Sequence, residues 1–401
     1  MIETRTAQVL ETAIERDTAP RLLYVTTVSG SLRGFLRPFA RHFRNLGWTV
    51  DGMGRGVSDC TDCQRAFDRV WEAPWSRNPL NANNLVAAVR EIRRVVDEGA
   101  YDIVHVHTPV AAFVTRFALR RRGPNRPIVI YTAHGFHFHP YGLPLKNAIF
   151  RTLEKAAGRW TDYLVTINRT DEAAAAAFRT VRPSQVRYIP GIGIDTSRFS
   201  PAAVPAGEGA RIKAELGIPA ETPMFLMLAE FNPGKRHADL LHAIAATGRQ
   251  DFHVALAGDG RTREEMQALA RELGVADRVH FLGMRRDAAA LIRGSDAVML
   301  PSEREGLSMS VMEALSLEKP VIGTRIRGIH DLVGDDAGVL VAPGDIAGLA
   351  RAMCRILDDP AEARRMGETG RRNMKLFELR HVIEAHEDLY TAAMEERCLR
   401  N

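Results

Sequence analysis

From Leu22 to Val341 the sequence keeps returning to one pattern: a short run of β-branched or aromatic residues, then a stretch whose apolar positions recur at helical spacing. No other property restricts the fold so strongly. Runs at Leu22–Val28, Trp48–Met53, Ile103–His107, Ile128–Thr132 and Tyr163–Ile167 read as strands, each followed by helix-like sequence. Strand, helix and strand in succession build a parallel sheet with helices on both faces, and ligands of such sheets lie beyond the carboxyl ends of the strands. The pattern restarts near residue 211. Met224–Leu228, His253–Ala257, Val279–Leu282, Val298–Leu300, Val321–Gly323 and Val339–Val341 read as strands, with helices such as Ala238–Ala246 and Glu264–Leu273 between them. Pro190 to Phe199, then Pro201, Pro205, Gly207 and Gly209, carries neither period and reads as a linker. The expected fold is α/β: two Rossmann-like doubly wound parallel-sheet domains facing an interdomain cleft. Residues 1–195 would form the first domain, with 1–19 as an extension. Residues 196–378 would form the second, and 379–401 a C-terminal helix crossing back to the first. A chain of 401 residues is long enough for two such cores.

Composition narrows the class. With 45% apolar and 26% charged residues the chain is ordinary globular protein, neither collagen, a coiled-coil rod nor disordered. No stretch approaches the roughly 20 apolar residues of a membrane span. The N-terminal segment, with Glu3, Arg5, Glu11, Glu15, Arg16 and Asp17, lacks the apolar centre of a secretory signal. The expected location is cytoplasmic, with a peripheral place on the inner face of the cell membrane open. Cys60 and Cys63 form one CxxC while Cys354 and Cys398 stand apart, so a four-ligand zinc site has no second pair and reduced surface thiols are expected. Charge is uneven: residues 1–195 hold 27 Lys and Arg against 18 Asp and Glu, a net +9, and the remainder nets −4. The first domain should therefore meet an anionic partner. Nucleic acid is not expected, because zinc-finger spacing and RNA-binding aromatic signatures are both missing.

Chemistry concentrates after the predicted strand Val298–Leu300, in Pro301-Ser-Glu-Arg-Glu-Gly-Leu-Ser-Met-Ser-Val-Met-Glu-Ala-Leu315. If a helix starts near Ser308, Glu305 lies in the preceding loop and Glu313 over a turn into the helix. Two carboxylates could then hold opposite ends of one elongated ligand. The free amides of Leu307 to Ser310 would point between them at a phosphate. Two solvated glutamates at an ordinary helix start fit the same spacing. Asn232-Pro-Gly-Lys-Arg-His237 supplies a strand-to-helix turn that would put Lys235 where a diphosphate lies, unless it is merely a solvated basic turn. Thr27-Val-Ser-Gly-Ser-Leu-Arg-Gly34 lacks the spacing of a dinucleotide fingerprint, as does Gly258-Asp-Gly260, so NAD is disfavoured. In Tyr131-Thr-Ala-His-Gly-Phe-His-Phe-His139, Gly135 should break the extended run before alternate histidines share a metal. His134 is either a site residue or a satisfied structural histidine. Arg33, Arg37, Arg41 and Arg44 alternate with Phe35, Phe39 and Phe43, and Arg116, Arg120, Arg121 and Arg122 cluster. These are helices packed on the core, a basic face for an anionic membrane, or both.

The Glu305/Glu313 segment resembles the E-x7-E motif of retaining nucleotide-sugar glycosyltransferases with the GT-B fold, and the likeness runs through nearly the whole chain. It implies donor-sugar contact at Glu305, ribose contact at Glu313, and donor contacts from Gly306, Leu307 and Ser308. Lys235 resembles the family lysine on the donor phosphates. Where the family often has an arginine five residues before it, this chain has Glu230, which leaves Arg236 as a substitute. Gly30 looks like the glycine whose amide faces the donor phosphate, His134 like the histidine beside the reacting bond, and Gly283 with Arg285 marks the base site. Arg33, His107 and His137 fall on the acceptor side. The segments Thr26–Gly30 and His134–Phe138 are most similar to the bacterial exopolysaccharide and capsule branch. The implied reaction is metal-independent transfer from a nucleotide diphosphate sugar, UDP-sugar favoured, to a hydroxyl of an undecaprenyl-diphosphate-linked sugar at an anionic membrane surface. Neither metal nor cofactor is expected. The alternatives are an epimerase or hydrolase of the same fold, which needs no acceptor, and a nucleotide-sugar sensor without turnover.

Overall fold

A computed structural model of the chain describes residues 19–76, 81, 84–121, 123, 126–140 and 142–400. The expected 1–19 extension, up to residue 18, and Arg122 lie outside them. The chain divides into two compact units, residues 1–192 with 382–401, and residues 193–381.

In the first unit β1 (Arg21–Val28), β2 (Thr49–Arg55), β3 (Val70–Glu72), β4 (Ile103–His107), β5 (Ile128–Ala133), β6 (Tyr163–Thr166) and β7 (Val186–Tyr188) form one parallel sheet in the order β3-β2-β1-β4-β5-β6-β7. β4 and β5 are buried at every residue, as expected of central parallel strands covered on both faces. Sequence reading missed β3 and β7, which are three-residue edge strands too short to show a period. After β1 the chain runs through a π-helical turn, Leu32–Leu36, into the helix Arg37–Asn45. Phe39 and Phe43 are buried there, while Arg37, Arg41 and Arg44 face outward. The last helix, Leu379–Arg400, contributes Val382 onward to this unit.

The second unit has six strands: β8 (Met224–Leu228), β9 (His253–Ala257), β10 (Val279–Gly283), β11 (Ala297–Leu300), β12 (Val321–Thr324) and β13 (Gly338–Val341). Their order is β10-β9-β8-β11-β12-β13, all parallel. Each sheet reverses its winding once, between β1 and β4 in the first unit and between β8 and β11 in the second. Such a switch point opens a crevice at the carboxyl ends of its two strands.

One basic cluster read from the sequence is only partly a surface: Arg121 is exposed, whereas Arg116 is not. Arg116 is 1% exposed, pairs with Glu154 at 3.1 Å and stacks 4.0 Å from the ring centre of Tyr131. A buried guanidinium requires such partners, and Arg120 similarly covers the Phe117 ring. Cys60 and Cys63 are both free thiols, but Cys63 is buried and not in a surface loop.

Candidate functional site

The switch point of the second unit carries the residues singled out by the sequence. β8 ends in the 3-10 turn Pro233–Lys235 and β11 ends in the loop that holds Glu305. The two meet directly: Lys235 Nζ lies 2.6 Å from Glu305 Oε1, and the Glu303 amide donates to the Gly234 carbonyl at 2.9 Å. Glu305 is 11% exposed and Lys235 24%, so the pair is largely removed from water. Behind them Gly328, at φ +81°, backs onto Gly306 so closely that a Cβ would stand 2.0 Å from the Gly306 oxygen.

The helix Met309–Ser316 starts after Ser308, whose side chain does not cap it. Ser308 Oγ is 3.1 Å from Ser310 Oγ, leaving the first-turn amides to other partners. Glu313 follows one turn in. Burial raises its carboxyl to about 7, against the opposing pull of Arg198, and it has no hydrogen-bond partner among the described residues. The Lys235–Glu305 pair, the first-turn amides and the Glu313 carboxyl thus follow one another here, an ammonium with its counter-charge, free amide donors and an acceptor.

Two expected donor contacts are committed elsewhere. Arg236 forks onto Asp239 of its own helix at 2.6 and 3.1 Å, with Glu303 at 3.9 Å. Its backbone is left-handed, φ 56°, at the start of that helix. Arg285 bridges Glu215 and Asp287 at 2.5 and 2.6 Å and acts as a clamp between loop and helix. Gly283 ends β10 at φ 65°, a turn that favours glycine. Gly258 and Gly260 serve packing, since a Cβ on either would collide with the carbonyls of Ala229 or Phe231. Glu230 is exposed. Sequence reading missed His237, stacked 4.1 Å from Phe231; burial first and Lys235 second lower it to about 4.

In the first unit the switch point joins Thr27 and Thr108. The Thr27 amide donates to Thr108 Oγ1 at 2.9 Å, and Thr108 holds the unusual φ of 65° for a β-branched residue. Gly30 has open space around its missing side chain, so packing within the unit does not demand glycine there. Arg33 is exposed on the adjoining π-helical turn. His107 Nδ1 lies 2.9 Å from His134 Nε2, and both line a small pocket with Tyr24, Thr132, Phe39 and His386. Burial lowers His134 and His386 to about 4 and His107 well below its ordinary value, so these rings are neutral at pH 7. Gly135, at φ 98°, turns the chain after β5. His137 is consequently outside this pocket, its ring 5.1 Å from Phe150. No group of three His, Cys, Asp or Glu able to hold a metal occurs among the described residues.

Comparison with known proteins decides the family. Residues 209–373 match the model for glycosyl transferases group 1, and residues 35–198 that for glycosyltransferase family 4. EpsD of Bacillus subtilis (strain 168), described as a glycosyltransferase, is 33% identical over 380 residues, covering 94% of this chain and 97% of EpsD. The chain belongs to the group 1 glycosyltransferases. A second relative of this glycosyltransferase is the UDP-Gal:alpha-D-GlcNAc-diphosphoundecaprenol alpha-1,3-galactosyltransferase of Escherichia coli, 27% identical over 66% of this chain and 69% of its own. Among solved structures, the glycosyltransferase shares the fold of a Thermosynechococcus elongatus sucrose-phosphate synthase. Its TM-score is 0.80 at 21% identity, over 94% and 100% of the two chains. Anabaena HepE, solved with UDP and glucose, gives 0.76 at 18% identity over 93% and 100%. The architecture is therefore the GT-B fold.

Proposed function

We propose that this glycosyltransferase moves a sugar from a nucleotide diphosphate sugar, UDP-sugar favoured, to a hydroxyl of a lipid-diphosphate-linked sugar in exopolysaccharide or capsule synthesis, with retention. The observation that carries the reading is the Lys235–Glu305 pair beside the uncapped Met309–Ser316 helix, with the unpartnered Glu313 carboxyl one turn in. The ribose hydroxyls bind Glu313, the diphosphate takes the amides and Lys235, and the sugar contacts Glu305. The acceptor oxygen attacks the anomeric carbon from the face that the diphosphate leaves. The bond from that carbon to the phosphate oxygen breaks, and the acceptor proton passes to the departing phosphate. Lys235 and the helix amides stabilise the charge that develops. The acceptor lipid and its sugar class follow the Escherichia coli relative named above. No metal is needed in this scheme.

A thermal-shift screen with UDP-, GDP- and ADP-sugars identifies the donor, since binding to the folded state raises the melting temperature. Incubation of that donor with an undecaprenyl-diphosphate sugar, with and without EDTA, should give an α-linked product at equal rates. Inversion, loss of activity in EDTA, or donor consumption without an acceptor would each contradict the scheme, the last in favour of an epimerase or hydrolase.

A further inference from the structure

Exposed large apolar side chains are scattered over most of the surface, at Phe35, Leu85, Val86, Met284, Leu376 and Leu399. They concentrate in one segment. Leu143, Leu145, Ile149 and Leu153 are 72%, 75%, 52% and 41% exposed, at the start of and along the helix Pro144–Gly158. Leu145, Ile149 and Leu153 recur every fourth residue and so share one stripe. The opposite side of this helix is the one attached to the unit: Ala157 and Gly158 are buried, Phe150 packs on the core, and Glu154 binds Arg116. The stripe is thus an outward face.

Exposed Lys146, Lys155 and Arg159 flank it. The helix's single acid, Glu154, is turned inward to Arg116. A partner for this face must accept aliphatic side chains and carry negative charge beside them. A second copy of the same face would oppose lysines to lysines. An anionic phospholipid bilayer meets both demands, with acyl chains for the leucines and headgroup phosphates for the cations. Position also fits, because the helix begins after the loop that leaves β5, the strand whose end carries His134.

We propose that the Pro144–Gly158 helix, through Leu143, Leu145, Ile149 and Leu153 with Lys146, Lys155 and Arg159, docks the glycosyltransferase on an anionic phospholipid surface. This relocates membrane contact from the arginine clusters read in the sequence, of which Arg116 is buried. The proposal rests on the lipid-linked acceptor reading for its purpose, and the test separates the two.

The full chain is floated with vesicles of phosphatidylcholine alone or with phosphatidylglycerol. Wild type should float with the anionic vesicles and lose binding in high salt. The variants L145S/I149S/L153S and K146E/K155E/R159E should each lose at least about tenfold in partitioning while their melting temperatures and UDP-sugar binding stay unchanged. Equal flotation of wild type and both variants, or no flotation of wild type, overturns the proposal. So does a wild-type dimer that L145S/I149S/L153S converts to monomer without changing flotation, since a second copy would then cover the stripe. Transfer to a detergent-dispersed acceptor is measured in parallel. Its retention when flotation fails leaves the reaction standing without the docking face, and its absence when flotation succeeds does the reverse.

Discussion

Because desolvation raises Glu313 to about 7, about half the free molecules hold its carboxyl protonated at neutral pH. Under the proposed binding mode Glu313 accepts from two ribose hydroxyls at once, which only the ionised form does, so donor binding would draw the carboxyl toward ionisation. Donor affinity should fall by up to about tenfold per pH unit below pH 7 and level off above it, and Glu313→Gln should bind more weakly with a flat profile. Calorimetric titration between pH 6 and 8 measures both. Lys235 acts differently. Lys235→Ala strands Glu305, which is 11% exposed, and under the proposed binding mode also removes the cation for the diphosphate. We expect kcat/KM to drop by about 2–4 kcal/mol, read in steady-state kinetics, with the fold intact by circular dichroism.

The elements that aim these residues depend on close backbone contacts. Gly328 combines φ +81° with the 2.0 Å approach of its notional Cβ to the Gly306 oxygen. Gly328→Ala should therefore destabilise the protein by about 1–3 kcal/mol in denaturant unfolding and weaken donor binding, by pushing on the loop that carries Glu305. Much of this arrangement was legible beforehand. β4, β8 and β9 begin and end where their apolar runs do, and the helix after Glu305 starts one residue beyond Ser308. The edge strands β3 and β7 were not, because three residues show no alternation. Nor was the burial of Arg116, since Glu154 and Tyr131, which make it tolerable, stand 38 and 15 positions away in the chain and declare nothing locally. For Arg236 and Arg285, motif position was readable whereas the carboxylates that occupy them were not.

Across the whole molecule, the buried histidines set the response to acid. His105 and His107 are lowered well below, and His134, His237 and His386 to about 4, from an ordinary 6.5. A folded-state value below the unfolded one means that stability is complete above pH 6.5 and is lost as pH falls toward 4. For His386, 3% exposed, the loss is about 1.4 kcal/mol per unit. Glu313, raised in the folded state, opposes this between 4.5 and 7, but as one group against five. The melting temperature should decline steadily from pH 7 to pH 5 in scanning calorimetry. His386 also belongs to the final helix, and so does Tyr390, whose hydroxyl lies 3.1 Å from Tyr24 and 2.5 Å from His105. The first unit is thus completed by residues that follow the second unit in the chain. A ribosome that has passed Ile192 has released every strand of that unit without the aromatic plug that closes it. The later unit, Gly193–His381, has all its strands before the plug emerges. Closure of the first unit therefore waits on the second, and a nonsense codon just after His381 would spare the strands of Gly193–His381 while leaving the other unit open to proteases.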